Sequence, residues 1–345
     1  MLFSFMEGKK LITIKEIAKI LNVSPSTVSR ALKGHPSISG ITTERVQKIA
    51  KENNFVLNKS AIFFNQKRSY TLGLIVPNLS EPFFSTALNA IEKVASAQNY
   101  NIMIGQSHDH VETEMTVLQK FIDHRVDGII VSISKQHKFF QPYTDLEKLN
   151  IPVVFFDCVP EDKYLHYVAS NLHTGLLKGI NALVAQRHFK IALINGPVNL
   201  SATRQRLIGY IKGLNEHHIP VRSDLMKTTD LSPAGNIAAM NSLIELSDPP
   251  SAIIVFNDNV LLDCFSLIKS KGLVDQFKFI SFANQPDWKY YDHKPFGSIE
   301  QFPAEQGKIA AEVLMKLING ELHHLQSDHK YYQFNLDSEI IYLND

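Results

Sequence analysis

Three places pair histidines closely enough to suggest a metal ion: His108–Asp109–His110, His217–His218 and His323–His324. All three lie in polar surroundings, where adjacent histidines are ordinarily solvated loop residues, so no metal and no cofactor is expected. Cys158 and Cys264 stand 106 positions apart, form no C-x-x-C pair and suggest a reducing compartment. The chain has no G-x-G-x-x-G, no G-x-x-x-x-G-K-[ST], no G-x-S-x-G and no H-E-x-x-H, which argues against an enzyme. The remaining chemistry is charge. Of 35 Lys and Arg, 12 fall in residues 1–68 against 4 of the 34 Asp and Glu, so this head carries +8 and the other 277 residues −7. A basic head on a mildly acidic body suggests a nucleic-acid reader joined to something else, or else a basic surface with no partner.

At 345 residues the chain exceeds one hydrophobic core. Its 44% apolar and 20% charged residues exclude wholesale disorder, collagen and a membrane bundle. No apolar run is long enough to span a membrane and the first residues lack a signal-peptide pattern, so a cytoplasmic location is expected. In the head, Thr13 and Glu16 form a capping box before a helix Ile14–Leu21. Asn22 and Val23 make a turn, and Ser24 and Pro25 open a second helix, Pro25–Leu32. Thr43 caps a third through Asn53. Two short helices joined by a tight turn and backed by a third make a helix-turn-helix. From Thr71 onward, seven short β-branched runs alternate with seven longer amphipathic segments, the pattern of a parallel α/β architecture with two sheets.

The run ITIKEIAKILNVSPSTVSRALKG, followed by T-x-x-R-V and N-x-x-F-x-x-N-K-S-A, resembles the lactose/galactose repressor family of bacterial transcription regulators. The core V-S-x-x-T-V-S-R, Val23 to Arg30, is the specific part, and the resemblance covers about Ile12 to the C-terminus. It implies a helix-turn-helix domain over 1–57, a hinge helix and linker over 58–70, and a two-lobed periplasmic-binding-protein-like core with parallel sheets over 71–345. It also implies a set of DNA contacts: Thr13, Ser24, Pro25, Ser26, Thr27, Ser29 and Arg30 in the head, and Asn58, Ala61 and Phe64 in the hinge. Pro25 and Ser26 occupy the variable base-reading positions, and Arg30 that of an arginine whose fork suits guanine O6 and N7. Thr27 and Ser29 hold phosphates, positioning the helix without reading sequence. Phe64 stands where the family usually places a leucine wedge in the minor groove; it either wedges a base step or packs on the protein.

In the core the resemblance implies an effector cleft with contacts from Asn78, Phe83, Phe84, Arg206, Asn257, Asp258 and Gln301. Most of these residues closely follow expected strands, where ligands of such sheets sit. Phe83 and Phe84 press on a ligand or pack in the core; Arg206 reads hydroxyl, carboxylate or phosphate groups, with Arg204 as its competitor. The family's frequent G-F-D-N is Ser281–Phe282–Ala283–Asn284 here. Loss of that carboxylate favours an anionic or amide-bearing effector over a neutral sugar, with a sugar phosphate, a nucleoside and a protein co-regulator as the alternatives. The expected protein is a homodimeric regulator, acting as a repressor on a palindromic operator in double-stranded DNA. Its rivals are a solute-binding receptor and a cytoplasmic sugar-processing enzyme.

Overall fold

The computed structural model describes residues 12–53, 55, 68–134, 141–160, 162, 164–198, 200–321 and 331–343. The chain divides into two compact units, Met1–Arg68 and Ser69–Asp345.

Among the described residues the first unit is three helices around one small core. Helix α1 (Ile14–Leu21) opens on the capping box: Thr13 Oγ1 accepts the Glu16 N–H at 3.2 Å, and the Glu16 carboxylate accepts the Thr13 N–H at 2.8 Å. It closes at Asn22, which takes the left-handed conformation (φ 53°) that lets the chain turn sharply. Helix α2 (Pro25–Leu32) is capped by Ser24, whose Oγ accepts the Thr27 N–H at 3.1 Å, with Pro25 at the first position. Helix α3 (Gly40–Glu52) begins earlier than the expected cap at Thr43. Ser39 takes that role, its Oγ accepting the Thr42 N–H at 3.3 Å. Ile17, Ala18, Val28, Ala31, Val46 and Ala50 are buried together, one stripe from each helix. The hinge positions Asn58, Ala61 and Phe64 lie outside the described residues.

Among the described residues the second unit has two lobes, each a six-stranded sheet. In chain order come β1 (Thr71–Val76), α4 (Pro82–Ala97), β2 (Asn101–Gln106), α5 (Val111–Asp123), β3 (Gly128–Val131), β4 (Val153–Phe156) and β5 (His166–Asn171). Then follow α6 (Leu172–Ala185), β6 (Ile191–Asn195), α7 (Ser201–Glu216), β7 (Met226–Thr228), α8 (Pro233–Ile244), β8 (Ala252–Val255), α9 (Asp258–Ser270), β9 (Lys278–Phe282) and β10 (Gly297–Glu300). The last are α10 (Pro303–Ile318), β11 (Gln333–Asp337) and β12 (Glu339–Tyr342). Lobe 1 orders its strands β2-β1-β3-β4-β5-β11, all parallel. Lobe 2 orders them β7-β6-β8-β9-β10-β12, parallel except for the antiparallel β10–β12 pair. Central strands such as β3, β6 and β8 are continuous apolar runs, buried throughout because helices cover both faces of the sheet.

The chain passes between the lobes three times: from β5 into α6, from β10 into α10, and from β11 into β12. Helix α10 therefore returns to lobe 1 and packs along α4. Their approach is set by Gly307, where an added Cβ would stand 2.5 Å from the Ala87 carbonyl oxygen. Backbone cannot swing aside as a side chain can, so Gly307→Ala is expected to cost about 1–3 kcal/mol of stability. Thermal unfolding of the full chain checks this, and an unchanged midpoint would refute the contact. Among the described residues, no helix is long and apolar enough to cross a membrane.

Candidate functional site

In doubly wound sheets a crevice opens where the strand order reverses, beyond the carboxyl ends of the strands. Lobe 1 reverses between β1 and β3, lobe 2 between β6 and β8. Pro77 and Ser134 follow the first pair; Phe256 and Asn257 follow β8. All four line one cleft between the lobes, of about 480 Å³.

Arg206 lies in this cleft on α7, and its side chain is the most consequential in the site. It is 3% exposed. Its Cζ sits 4.1 Å from the Phe256 ring centroid and 4.3 Å from that of Phe282, so two aromatic rings pack on the guanidinium. Nε and Nη1 are buried without a hydrogen-bond partner. Burial lowers its pKa to about 9, with the negative charge of Asp157 working in the opposite direction. It remains a cation at neutral pH. A charged donor left unpaired in the interior costs several kcal/mol, and a carboxylate, phosphate or amide oxygen is the group that pairs with such a fork, edge-on.

Five of the seven expected effector residues, Phe83, Phe84, Arg206, Asn257 and Gln301, come together here. Phe83 and Phe84 meet edge to face, centroids 5.2 Å apart; Phe84 is buried in the lobe 1 core, leaving Phe83 the more open. Asn257 also caps α9, its Oδ1 accepting the Val260 N–H at 3.0 Å. Asn78 does not line the cleft. Its Oδ1 accepts from the Ser80 N–H (3.0 Å) and hydroxyl (2.7 Å), a local turn that leads into α4. Nor does Asp258, which is fully buried beneath the cleft. One oxygen accepts from the Ser281 and Ser298 hydroxyls, and the other from the Gln285 N–H at 2.7 Å. Burial raises its pKa, with the hydrogen bonds opposing.

The cleft also holds two carboxylates that residue patterns did not point to. Glu81 and Asp157 bring carboxylates from lobe 1, while Arg204 and Arg206 bring guanidiniums from lobe 2. The two walls thus differ in sign. Asp157 directly follows β4 in the left-handed conformation (φ 57°) and accepts from the Ser132 hydroxyl at 3.2 Å. The rule that selected Asn257, a polar residue directly after a strand, selects Asp157 equally. Ala283 does line the cleft, with φ 98°. Among the described residues no group of three or more His, Cys, Asp or Glu is placed to hold a metal.

In the head, α2 buries Val28 and Ala31 and leaves Pro25, Ser26 and Arg30 exposed, with Thr27 and Ser29 half-buried. The Ser24 hydroxyl is bonded to those of Ser26 (2.7 Å) and Thr27 (2.8 Å) as well as capping the helix. Thr13 is exposed at the start of α1.

Residues 13–58 match the family profile of bacterial regulatory proteins, lacI family, and residues 72–322 that of the periplasmic binding protein domain. The chain belongs to the LacI family. Among its relatives is the HTH-type transcriptional repressor PurR of Vibrio atlanticus, 25% identical over 331 residues, covering 95% of this chain and 97% of PurR. The HTH-type transcriptional repressor CytR of Escherichia coli is 28% identical over 311 residues, 90% of each chain. In fold, the LacI-family chain is similar to the lac repressor dimer crystallised with operator and the anti-inducer ONPF: TM-score 0.81, 23% identity, 96% of this chain and 98% of that one. Its head is therefore the DNA-binding domain of a transcription regulator, and its core is the effector-binding part.

Proposed function

We propose that this LacI-family regulator is a cytoplasmic repressor that holds a palindromic operator as a homodimer and changes its hold when an effector enters the core cleft. The observation that carries the reading is α2, which turns Ser26 and Arg30 outward from a core made by Val28 and Ala31. Ser26 and Arg30 read base edges. Thr27 and Ser29, with Thr13 and Ser24 beside them, set the helix against phosphates, and Asn58, Ala61 and Phe64 complete the contact through the hinge. In the core, Arg206 anchors the effector, Phe83 offers an apolar face, and Asn257 and Gln301 add polar contacts. The bare guanidinium favours an anionic or amide-bearing effector, with sugar phosphates and nucleosides as the first candidates. An effector can act only by binding one lobe arrangement better than another, and operator must then change effector affinity by the same factor.

The test uses a DNA fragment selected by the full-length protein from a genomic library. Arg30→Ala is expected to weaken binding to that fragment by about 1–3 kcal/mol, roughly five- to 150-fold, while binding to random DNA falls far less. An equal loss on both DNAs would make Arg30 a phosphate contact and overturn its base-reading role.

A further inference from the structure

Behind the cleft, on the first turns of α10, Gln306 is fully buried and belongs to neither the cleft lining nor the apolar core of lobe 1. Its carboxamide is bonded at both ends. Nε2 donates to the Ser170 hydroxyl at 2.9 Å and to the Gln301 carbonyl at 2.8 Å. Oε1 accepts the Asp157 N–H at 3.2 Å, which that N–H shares with the Val168 carbonyl. The Ser170 hydroxyl in turn donates to the Gln301 carbonyl at 2.7 Å.

All three partners line the cleft. Two of them also mark passages between the lobes: Ser170 precedes the β5–α6 crossing, and Gln301 begins the β10–α10 crossing, followed by Phe302 in the left-handed conformation (φ 55°). The third crossing is fastened to the first by other groups, Asn171 Nδ2 and the Thr174 hydroxyl donating to Asp337 Oδ1 at 3.1 and 3.3 Å. Among these ties, only the amide of Gln306 also reaches the cleft wall at Asp157.

We propose that Gln306 is a positioning residue of the effector cleft: it fixes the wall at Asp157 and locks two interlobe crossings together, so that a shift in lobe setting is felt at that wall. An amide suits this task because it donates and accepts at once without carrying charge into the interior. A leucine of similar size fills the space and makes none of the three bonds. The regulatory part of this inference rests on reading the cleft as the effector site; the positioning part does not.

The molecule contains its own reporter. Cys158 lines the cleft directly after Asp157, and Cys264 is fully buried in lobe 2, its thiol pushed up to about 12 by burial. Neither is in a disulfide. Full-length protein is treated with methyl methanethiosulfonate, a small neutral thiol reagent, and modification of each cysteine is followed by mass spectrometry. Gln306→Leu is expected to speed modification of Cys158 about tenfold, the factor that loss of one buried hydrogen bond represents. The Cys264 rate should not change, and because a loss of global stability would speed both thiols, Cys264 separates a local loosening at the cleft wall from unfolding. Ser170→Ala, which removes one of the three partners, is expected to give a smaller acceleration and serves if Gln306→Leu does not fold. An unchanged Cys158 rate, or equal acceleration of both thiols, would overturn the positioning role. A saturating amount of the selected DNA fragment should then alter the Cys158 rate in wild type but not in Gln306→Leu. If the DNA leaves wild type unaffected, coupling between operator and cleft fails, while the comparison without DNA still decides the role of Gln306.

Discussion

Replacing Arg206 by methionine is expected to abolish the response to an anionic effector while leaving the thermal stability of the effector-free protein unchanged or raised. These two outcomes have one cause. The guanidinium packs against Phe256 and Phe282 with Nε and Nη1 unpartnered, so the empty protein already bears the cost of a buried cation. An anion arriving edge-on removes that cost, and its binding draws on it. Truncating one partner of such a desolvated pair typically costs 2–5 kcal/mol, on the order of thirtyfold or more in affinity. Methionine keeps an apolar filler against the rings and takes away the charge, a change that is often neutral or stabilising in the interior. Calorimetric titration of sugars, sugar phosphates and nucleosides into wild type and Arg206→Met checks the first outcome, and thermal unfolding the second. Tight binding of a neutral sugar that ignores the substitution would refute both the anchor and the ligand class.

The difference between Arg206 and Asp258 shows where sequence stops being informative. Local devices were legible because they close within a few residues: the Thr13–Glu16 box, the Ser24–Pro25 start and the Asn22 turn stand as expected. Ser39 and Thr43 both had the chemistry of a cap, and only the packing of α3 decides for Ser39. Seven strands announced themselves as apolar runs, whereas β5, β7, β10, β11 and β12 did not. β11 is largely exposed and owes its existence to pairing with β5, 166 positions earlier in register, which no local pattern encodes. The family resemblance and, for Asn257, position after a strand found Arg206 and Asn257 in the cleft. They misplaced Asp258 because successive residues on a helix point about 100° apart. Asn257 at the cap faces the cleft, and the next side chain turns beneath it. Asp157 escaped notice for the opposite reason: as sequence, the run Val153–Asp157 reads as one strand, whereas β4 stops at Phe156.

Asp258→Ala is accordingly expected to destabilise the fold rather than to remove a ligand contact, by about 2–4 kcal/mol. Removal of the carboxylate leaves the Ser281 and Ser298 hydroxyls, which are 3.2 Å apart and can satisfy one another, and the Gln285 N–H, which then has no acceptor. The loss is the bond to that N–H together with a cavity at the base of α9. Its pH dependence identifies the group. Burial holds the folded-state pKa of Asp258 above the ordinary value of 3.8, so folding favours the protonated form. The stability this contributes is fully present below the unfolded pKa and is lost as pH rises through the folded one. The gap between wild type and Asp258→Ala should therefore be wider at about pH 5 than at about pH 8, the reverse of what a carboxylate held by a surface salt bridge would give. Denaturant unfolding of both proteins at the two pH values measures it. Asp258→Asn, which keeps one acceptor oxygen, should lie between them in stability and bind whichever effector the titrations identify as wild type does. Loss of that binding in Asp258→Asn, with stability intact, would return Asp258 to the cleft and overturn its assignment as a buried clamp between α9, β9 and β10.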